Sequence, residues 1–471
     1  MAFGLLLVLV AAVRSEGFLH PDEHFQVLEF AGAKLGRTPW EGLPWEYAYR
    51  MRPWLQPALY TLGARGLAAL GVEDPFTWAF SFRLFSGLVA WLGLVGLALC
   101  AERWFDEEAA RRLAIRALVL TYCVPFLAVR TSAESLSTSC FVLGLCLVVL
   151  RSEAGPGLAL LTGALFGLSF ALRYAAGVMV VSSLAWLLIV ARWPVRRLAF
   201  VLVGIASAVA LGVAVDRWGY GEWTLAAWNY AYRNFAQDRA ALEFGARPWY
   251  GYLQILGLGP FGPLNLLLAA AATLAWVRHP RHVLTWATAP LALVHSAIAH
   301  KEARFLIPIA MLSPLLLTLA VGAGPRRLWT RLVAFGLVSY DLVGLAALCL
   351  LPAQPQVSFL QFASRRFPAG LEAFVATPHT PWVWRGLTLY FYGPPPRGLQ
   401  AWPGVATVRA SGTRQFQMVA SSWEGLPPVD PYLCRPLHRS FPVSVTSRGW
   451  PHWGGIPPEA WDLYRCSTAG R

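Results

Sequence analysis

Lysine is almost missing from this chain of 471 residues: of its 39 basic residues only Lys34 and Lys301 are lysines. Charge of either sign is scarce too, at 14% of residues, where a soluble domain carries about 25%. With 56% hydrophobic residues and several apolar runs beyond the roughly 18 that read as a membrane span, a soluble globular fold is excluded. The composition is that of a polytopic membrane protein. There is no Walker-type glycine loop, no GxGxxG following a strand, no HExxH and no nucleophile elbow, which argues against a nucleotide-driven pump. There is no CxxC pair of the kind that holds zinc.

The net charge of +14 does not mark a nucleic-acid partner. The arginines fall in short clusters between apolar runs rather than in a basic stripe. Five of the seven cysteines (Cys100, Cys123, Cys140, Cys146 and Cys349) lie in or beside apolar runs, as small buried hydrophobes do. Cys434 and Cys466 lie in the polar C-terminal part and could pair in an oxidising compartment.

The hydropathy pattern predicts eleven spans, at about 2–13, 84–101, 113–129, 135–150, 158–172, 175–191, 198–215, 251–277, 283–299, 305–322 and 332–352. The first, "MAFGLLLVLVAAV", lacks the basic n-region and cleavage site of a signal peptide and reads as an uncleaved, short span. "AERWFDEEAARR", Arg151, "RWPVRR", "RHPRH" and "GPRRLWTR" occupy every second loop, which the positive-inside rule places in the cytoplasm. The expected architecture is therefore an all-α membrane domain over 1–352. Its first outer loop, 14–83, carries interfacial helices, and a small β or irregular domain over 353–471 lies outside the cytoplasm. In that last part "GVATVRASG" and "SFPVSVTS" read as strands.

Two clusters of ionisable residues fall on the predicted outer side. "GFLHPDEHFQVLEF" follows the first span. Asp22 or Glu23, in a partly dehydrated groove, suits general-base work, and His20, His24 and Gln26 suit a hydroxyl-rich ligand. The same residues also fit a helix start, with Pro21 at the first position and acids in the first turn. "HKEARFLIP" joins two predicted spans; His300, Lys301 and Arg304 could bind a phosphate while Glu302 holds one of them, or they could be interfacial anchors. Asp216 opens "DRWGYGEWTLAAWNYAYRNFAQ", an aromatic stretch for sugar contacts or an ordinary interfacial belt, and Arg52 in "YRMRPW" is a further phosphate candidate.

"HPDEHFQ", "DRWGYGEW...NYAYRNFA", "PWYGYLQILGLG" and "HKEARFLIP", in that order, resemble the signature blocks of glycosyltransferase family 22, over about residues 1–350. The His-Pro-Asp-Glu form is closer to that family's GPI mannosyltransferase branch than to its N-glycan branch. Ala303 stands where the family more often has a polar residue, and Met51-Arg52-Pro53 where Ile-Arg-Ser usually precedes Pro. The resemblance implies a GT-C fold. It implies transfer of mannose from a lipid-phosphate donor to a glycan or glycolipid hydroxyl with inversion, in the endoplasmic reticulum membrane or, for a bacterial chain, the inner membrane. On that reading Asp22 is the base, with Glu23 its neighbour or replacement. His300, Lys301, Arg304 and Arg52 hold the donor phosphate, and His20, Gln26, Asp216 and Glu302 face substrate. No cofactor is implied, since a monophosphodiester needs no metal to offset its charge, although an Asp-Glu pair could hold one. A lipid-linked-sugar flippase is the rival class, but such carriers place ionisable residues near the midplane in related repeats. A non-catalytic subunit of a glycan assembly complex is the third.

Overall fold

The computed structural model describes residues 1–151, 155–237, 239–322, 328–377, 379–421, 425–441 and 460–468. Among these, five helical stretches are long and apolar enough to cross a membrane: Pro75–Trp104, Ala133–Leu150, Val195–Tyr220, Ala303–Val321 and Leu332–Arg366, the last broken between Leu350 and Pro355. Five further apolar helices are shorter: Ala2–Arg14, Pro156–Leu172, Tyr174–Ile189, Gly262–Arg278 and Val283–Ala297. The eleven expected spans are thus clear in five cases.

Two expected spans are not continuous helices. The segment 113–129 divides into Glu108–Leu120 and Val124–Ala128, because the Asp341 carboxylate accepts from Tyr122 N at 3.1 Å and satisfies an amide that the break exposes. The segment 251–277 divides into Gly251–Gly257 and Gly262–Arg278 around Gly259 and Pro260. The second predicted span also starts earlier, at Pro75, where Asp74 caps the helix through the amides of Phe76 and Thr77.

Close helix contacts build the bundle. Helices Pro156–Leu172 and Val195–Tyr220 meet backbone to backbone. A Cβ at Gly163 would overlap Val201 O, and one at Gly204 would overlap Leu160 O. Small residues at such spacing let two membrane helices approach without a side chain between them. A large apolar core runs through the bundle and includes Leu97, Tyr122, Phe141, Phe166 and Leu315.

The C-terminal part is a small β domain, as expected in kind. Strands β1 (Ala373–Val375), β4 (Leu399–Ala401), β5 (Gln415–Ser421), β6 (Tyr432–Arg439) and β7 (Trp461–Thr468) form one sheet. Their order is β4-β1-β5-β7-β6. β1 pairs parallel with β4 and β5, while β7 pairs antiparallel with β5 and β6. β2 (Val383–Trp384) and β3 (Leu387–Thr388) make a separate hairpin. Cys434 and Cys466 face each other across β6 and β7 and are disulfide-bonded. "GVATVRASG" is not a strand: Val405–Ala410 is a helix, started by Gly404 at φ 92° and holding Val408 in the core beside Phe416 and Tyr432. "SFPVSVTS" lies mostly outside the described residues. A second core, with Phe18, Phe25, Tyr60, Trp382, Phe391 and Trp461, joins this domain to the segment that follows the first helix.

Candidate active site

The chain after the first helix turns at Gly17 and restarts a helix at Pro21. His20 is the cap: Asp22 N donates to its Nδ1 at 3.2 Å. The helix then widens over His24–Leu28 into a turn with i→i+5 bonding, a local irregularity often found at functional sites. The irregular start sends neighbouring side chains in different directions, and this separates the members of "HPDEHFQ".

Asp22 faces a cleft lined also by Gln26, Arg52, Glu134, Arg173 and Arg304. Its Oδ2 meets Nη1 of Arg304, and Nη2 of Arg52 at 3.6 Å. Burial pushes the Asp22 carboxyl up, but Arg304, His20 and Arg52 outweigh it and hold it below the usual range. The side chain keeps 22% exposure, so the carboxylate is ionised and open to the cleft.

Glu23 points away. Its Oε1 accepts from Thr131 N at 2.6 Å and Thr131 Oγ1 at 2.9 Å, and its Oε2 accepts from Leu19 N at 2.8 Å. Adjacent in sequence, the two acids do not present their carboxylates to one cation. His24 is fully buried, with Nε2 2.6 Å from Glu29 Oε1. Glu29 also accepts from Thr38 Oγ1 at 2.5 Å and from Phe391 N at 3.1 Å. This second histidine is therefore part of a clasp between the first loop and the β domain.

The second cluster meets the first. Glu302 Oε2 is bonded by Arg304 Nε and lies 3.5 Å from His20 Nε2, while its Oε1 is 2.8 Å from His300 Nε2. Burial pushes the Glu302 carboxyl up, and Arg304 then His300 hold it well below the usual range. In His20, burial and then Arg304 push the imidazole down, in keeping with an Nδ1 that accepts a hydrogen bond. Both nitrogens of His300 face acceptors, Gly245 O at 3.1 Å and Glu302, and its imidazolium is favoured although burial opposes it. Lys301 turns aside: Nζ donates to Ile298 O at 2.5 Å and to Arg247 O at 3.4 Å.

Arg52 is held from below by Glu46 Oε1 at 3.2 Å, and that oxygen also accepts from Gln26 Nε2 at 2.8 Å. Asp216 does not line the cleft. Its Oδ1 accepts from Trp54 N at 2.8 Å, so it anchors the loop that carries Arg52. The structure thus brings Asp22, Gln26, Arg52 and Arg304 together at the cleft, with His20, His300 and Glu302 behind Arg304. It leaves Glu23, Lys301 and Asp216 in supporting contacts.

Sequence reasoning missed Glu134 and Arg173. Glu134 Oε1 lies 3.1 Å from Arg173 Nη2 and 3.6 Å from Arg304 Nη1. Both sit at the ends of predicted spans, and an ionisable residue in such a place is a functional signal by default. That signal was available.

A family model described as the Alg9-like mannosyltransferase family matches residues 1–351. The GPI alpha-1,2-mannosyltransferase 3 of Danio rerio is 25% identical over 349 residues, 72% of this chain and 62% of that protein. The GPI mannosyltransferase 3 of Gibberella zeae is 26% identical over 345 residues, 62% of this chain and 54% of that protein. The chain spans 52–62% of the length of the first curated relatives it matches. In fold, it is similar to ArnT from Cupriavidus metallidurans, solved bound to undecaprenyl phosphate. The TM-score is 0.56 at 12% identity, over 98% of this chain and 96% of that one. That likeness bears out the GT-C architecture. With the family model covering most of its length, this integral membrane chain belongs to the Alg9-like mannosyltransferase family.

Proposed function

We propose that this chain transfers mannose from a lipid-phosphate-linked donor to a hydroxyl of a glycan or glycolipid acceptor, with inversion and with Asp22 as the base. The observation that carries the reading is the Asp22 carboxylate, held ionised by its neighbours and facing a cleft shared with three guanidiniums. Family membership and the relatives named as GPI mannosyltransferases support it.

In the proposed step, Asp22 takes the proton of the acceptor hydroxyl as its oxygen bonds to the sugar's anomeric carbon. The bond from that carbon to the phosphate oxygen breaks, and its electron pair leaves with the lipid phosphate. A phosphate leaving group needs no acid, so positive charge suffices on that side. Arg304 touches Asp22 in the free cleft. As it turns toward the arriving phosphate, the effect of burial on Asp22 is less opposed and the carboxylate becomes the stronger base. Glu23, tied to Thr131, holds the segment rather than the proton.

We place the cleft on the lumenal or periplasmic side. The arginine-rich loops argue for it, and so does the Cys434–Cys466 disulfide, since such bonds persist in oxidising compartments. The test is sugar transfer in membranes expressing the chain, with labelled polyprenyl-phosphate mannose and GDP-mannose supplied separately. Asp22→Asn should lose transfer from the lipid donor by about 10²–10⁴-fold, the usual contribution of a general base. Glu23→Gln should lower the yield of folded protein and keep turnover per folded molecule. Transfer that survives Asp22→Asn sinks the assignment. Movement of the lipid across the bilayer with no new glycoside would make the chain a flippase.

A further inference from the structure

We infer that Arg173, a residue outside the set picked from sequence, binds the lipid phosphate at the mouth between two cavities. The inference rests on the lipid-donor reading above and names a further contact for it.

Beside the polar cleft lies a second, mostly apolar recess walled by Ala175, Ala176, Leu291, Phe305 and Pro308, with Ser137 and His295. Only Glu134 and Arg173 line both. A prenyl phosphate has a charged head next to an apolar chain, and so does this pair of cavities. A cation for the head belongs at the boundary, where Arg173 stands with its guanidinium 5.8 Å from the Phe305 ring.

The charges in the cleft point the same way. Arg304 meets three carboxylates, Asp22, Glu302 and Glu134. Arg52 meets two, Glu46 and Asp22. Among the described residues Arg173 meets one, Glu134, through Nη2 alone, on an oxygen it shares with Arg304. Arg173 is only 7% exposed, so its charge is largely withdrawn from water. A buried guanidinium compensated by half of one carboxylate is the least neutralised cation of the cleft, and an anion with several oxygens completes it.

The test is binding, which needs neither sugar nor acceptor. Full-length protein in detergent is titrated with polyprenyl phosphate, with the parent polyprenol and with inorganic phosphate. Wild type should prefer the phosphate to the alcohol. Arg173→Gln should cut that preference about 10–100-fold, as loss of a charge-assisted hydrogen-bonded pair does, and leave polyprenol binding unchanged. Should Arg173→Gln not fold, Arg173→Lys keeps the charge without the planar fork and should lose several-fold. A preference equal to wild type in whichever variant folds overturns the assignment. So does inorganic phosphate binding as tightly as the lipid. Arg173-dependent binding without mannose transfer would leave this site standing and remove the proposed reaction; transfer with Arg173-independent binding would do the reverse.

Discussion

Arg304 holds the acid–base state of the cleft. Its removal leaves Asp22 buried with only His20 at 3.7 Å and Arg52 at 3.6 Å in opposition, so the carboxyl must rise. In Arg304→Gln the acid limb of the kcat/KM profile should therefore move to higher pH than in wild type, where Asp22 stays ionised to below the usual carboxylate range. An acid limb left in place would separate Arg304 from Asp22 in function. The same depressed carboxyl contributes stability above its unfolded pKa, and this is lost as pH falls toward the folded value.

A second residue has a structural effect of similar sharpness. Glu29 has no exposure and accepts from His24, Thr38 and Phe391. Glu29→Ala leaves those buried donors without an acceptor and should destabilise the protein by about 3–5 kcal/mol, read as a lowered melting temperature in detergent. From sequence, Asp22 and Gln26 were legible as cleft residues because they stand in an expensive cluster beside a membrane span. The opposite aim of Glu23 and the burial of His24 were not. They follow from the irregular turn at 24–28 and from partners at 131 and 391 that no local pattern reveals. Glu134 and Arg173 are 39 positions apart and look like isolated charges until the bundle joins them.

Helix Pro156–Leu172 ends at Arg173, and helix Val195–Tyr220 carries Asp216 under the Arg52 loop. The contact of Gly163 and Gly204 therefore sets the spacing of two cleft arginines as well as of two helices. Gly204→Val must part the backbones. The cost should be about 1–3 kcal/mol or more, as overpacking demands. Polyprenyl phosphate binding should weaken with it, and a binding curve that does not change while the melting temperature drops would show that cleft and contact are independent. Hydropathy located these helices well, because long apolar runs are the strongest signal a sequence carries. It missed the break at Thr121–Cys123, which is supported by Asp341, 219 positions away. The break at Gly259-Pro260 carried an ordinary turn signal.

The membrane bundle and the β domain share a core and a clasp, so the stability of one bears on the other. The Cys434–Cys466 bond closes a separation of 32 residues, worth about 3–4 kcal/mol on a chain-entropy estimate. Reductant should lower the melting temperature of wild type and leave that of the Cys434→Ser, Cys466→Ser double variant where it already lies. If both respond alike, the bond does not form in the native protein. The β character of this domain was readable from its proline, aromatic and β-branched content. Its sheet order was not, since β1 lies between β4 and β5 while β7 lies between β5 and β6.

The clasp between Glu29 and Phe391 spans 362 positions, and that length is also an interval of time. A ribosome adding about 5–20 residues per second needs roughly 20–70 s to go from one partner to the other. For most of that interval the segment bearing Asp22 is already outside the ribosome, but the amide that Glu29 accepts has not been made. The segment that carries Asp22 is thus made among the first, and its anchor to Phe391 among the last. Nascent chains arrested before Phe391 should display the 20–38 segment to protease, and chains arrested well beyond it should conceal it.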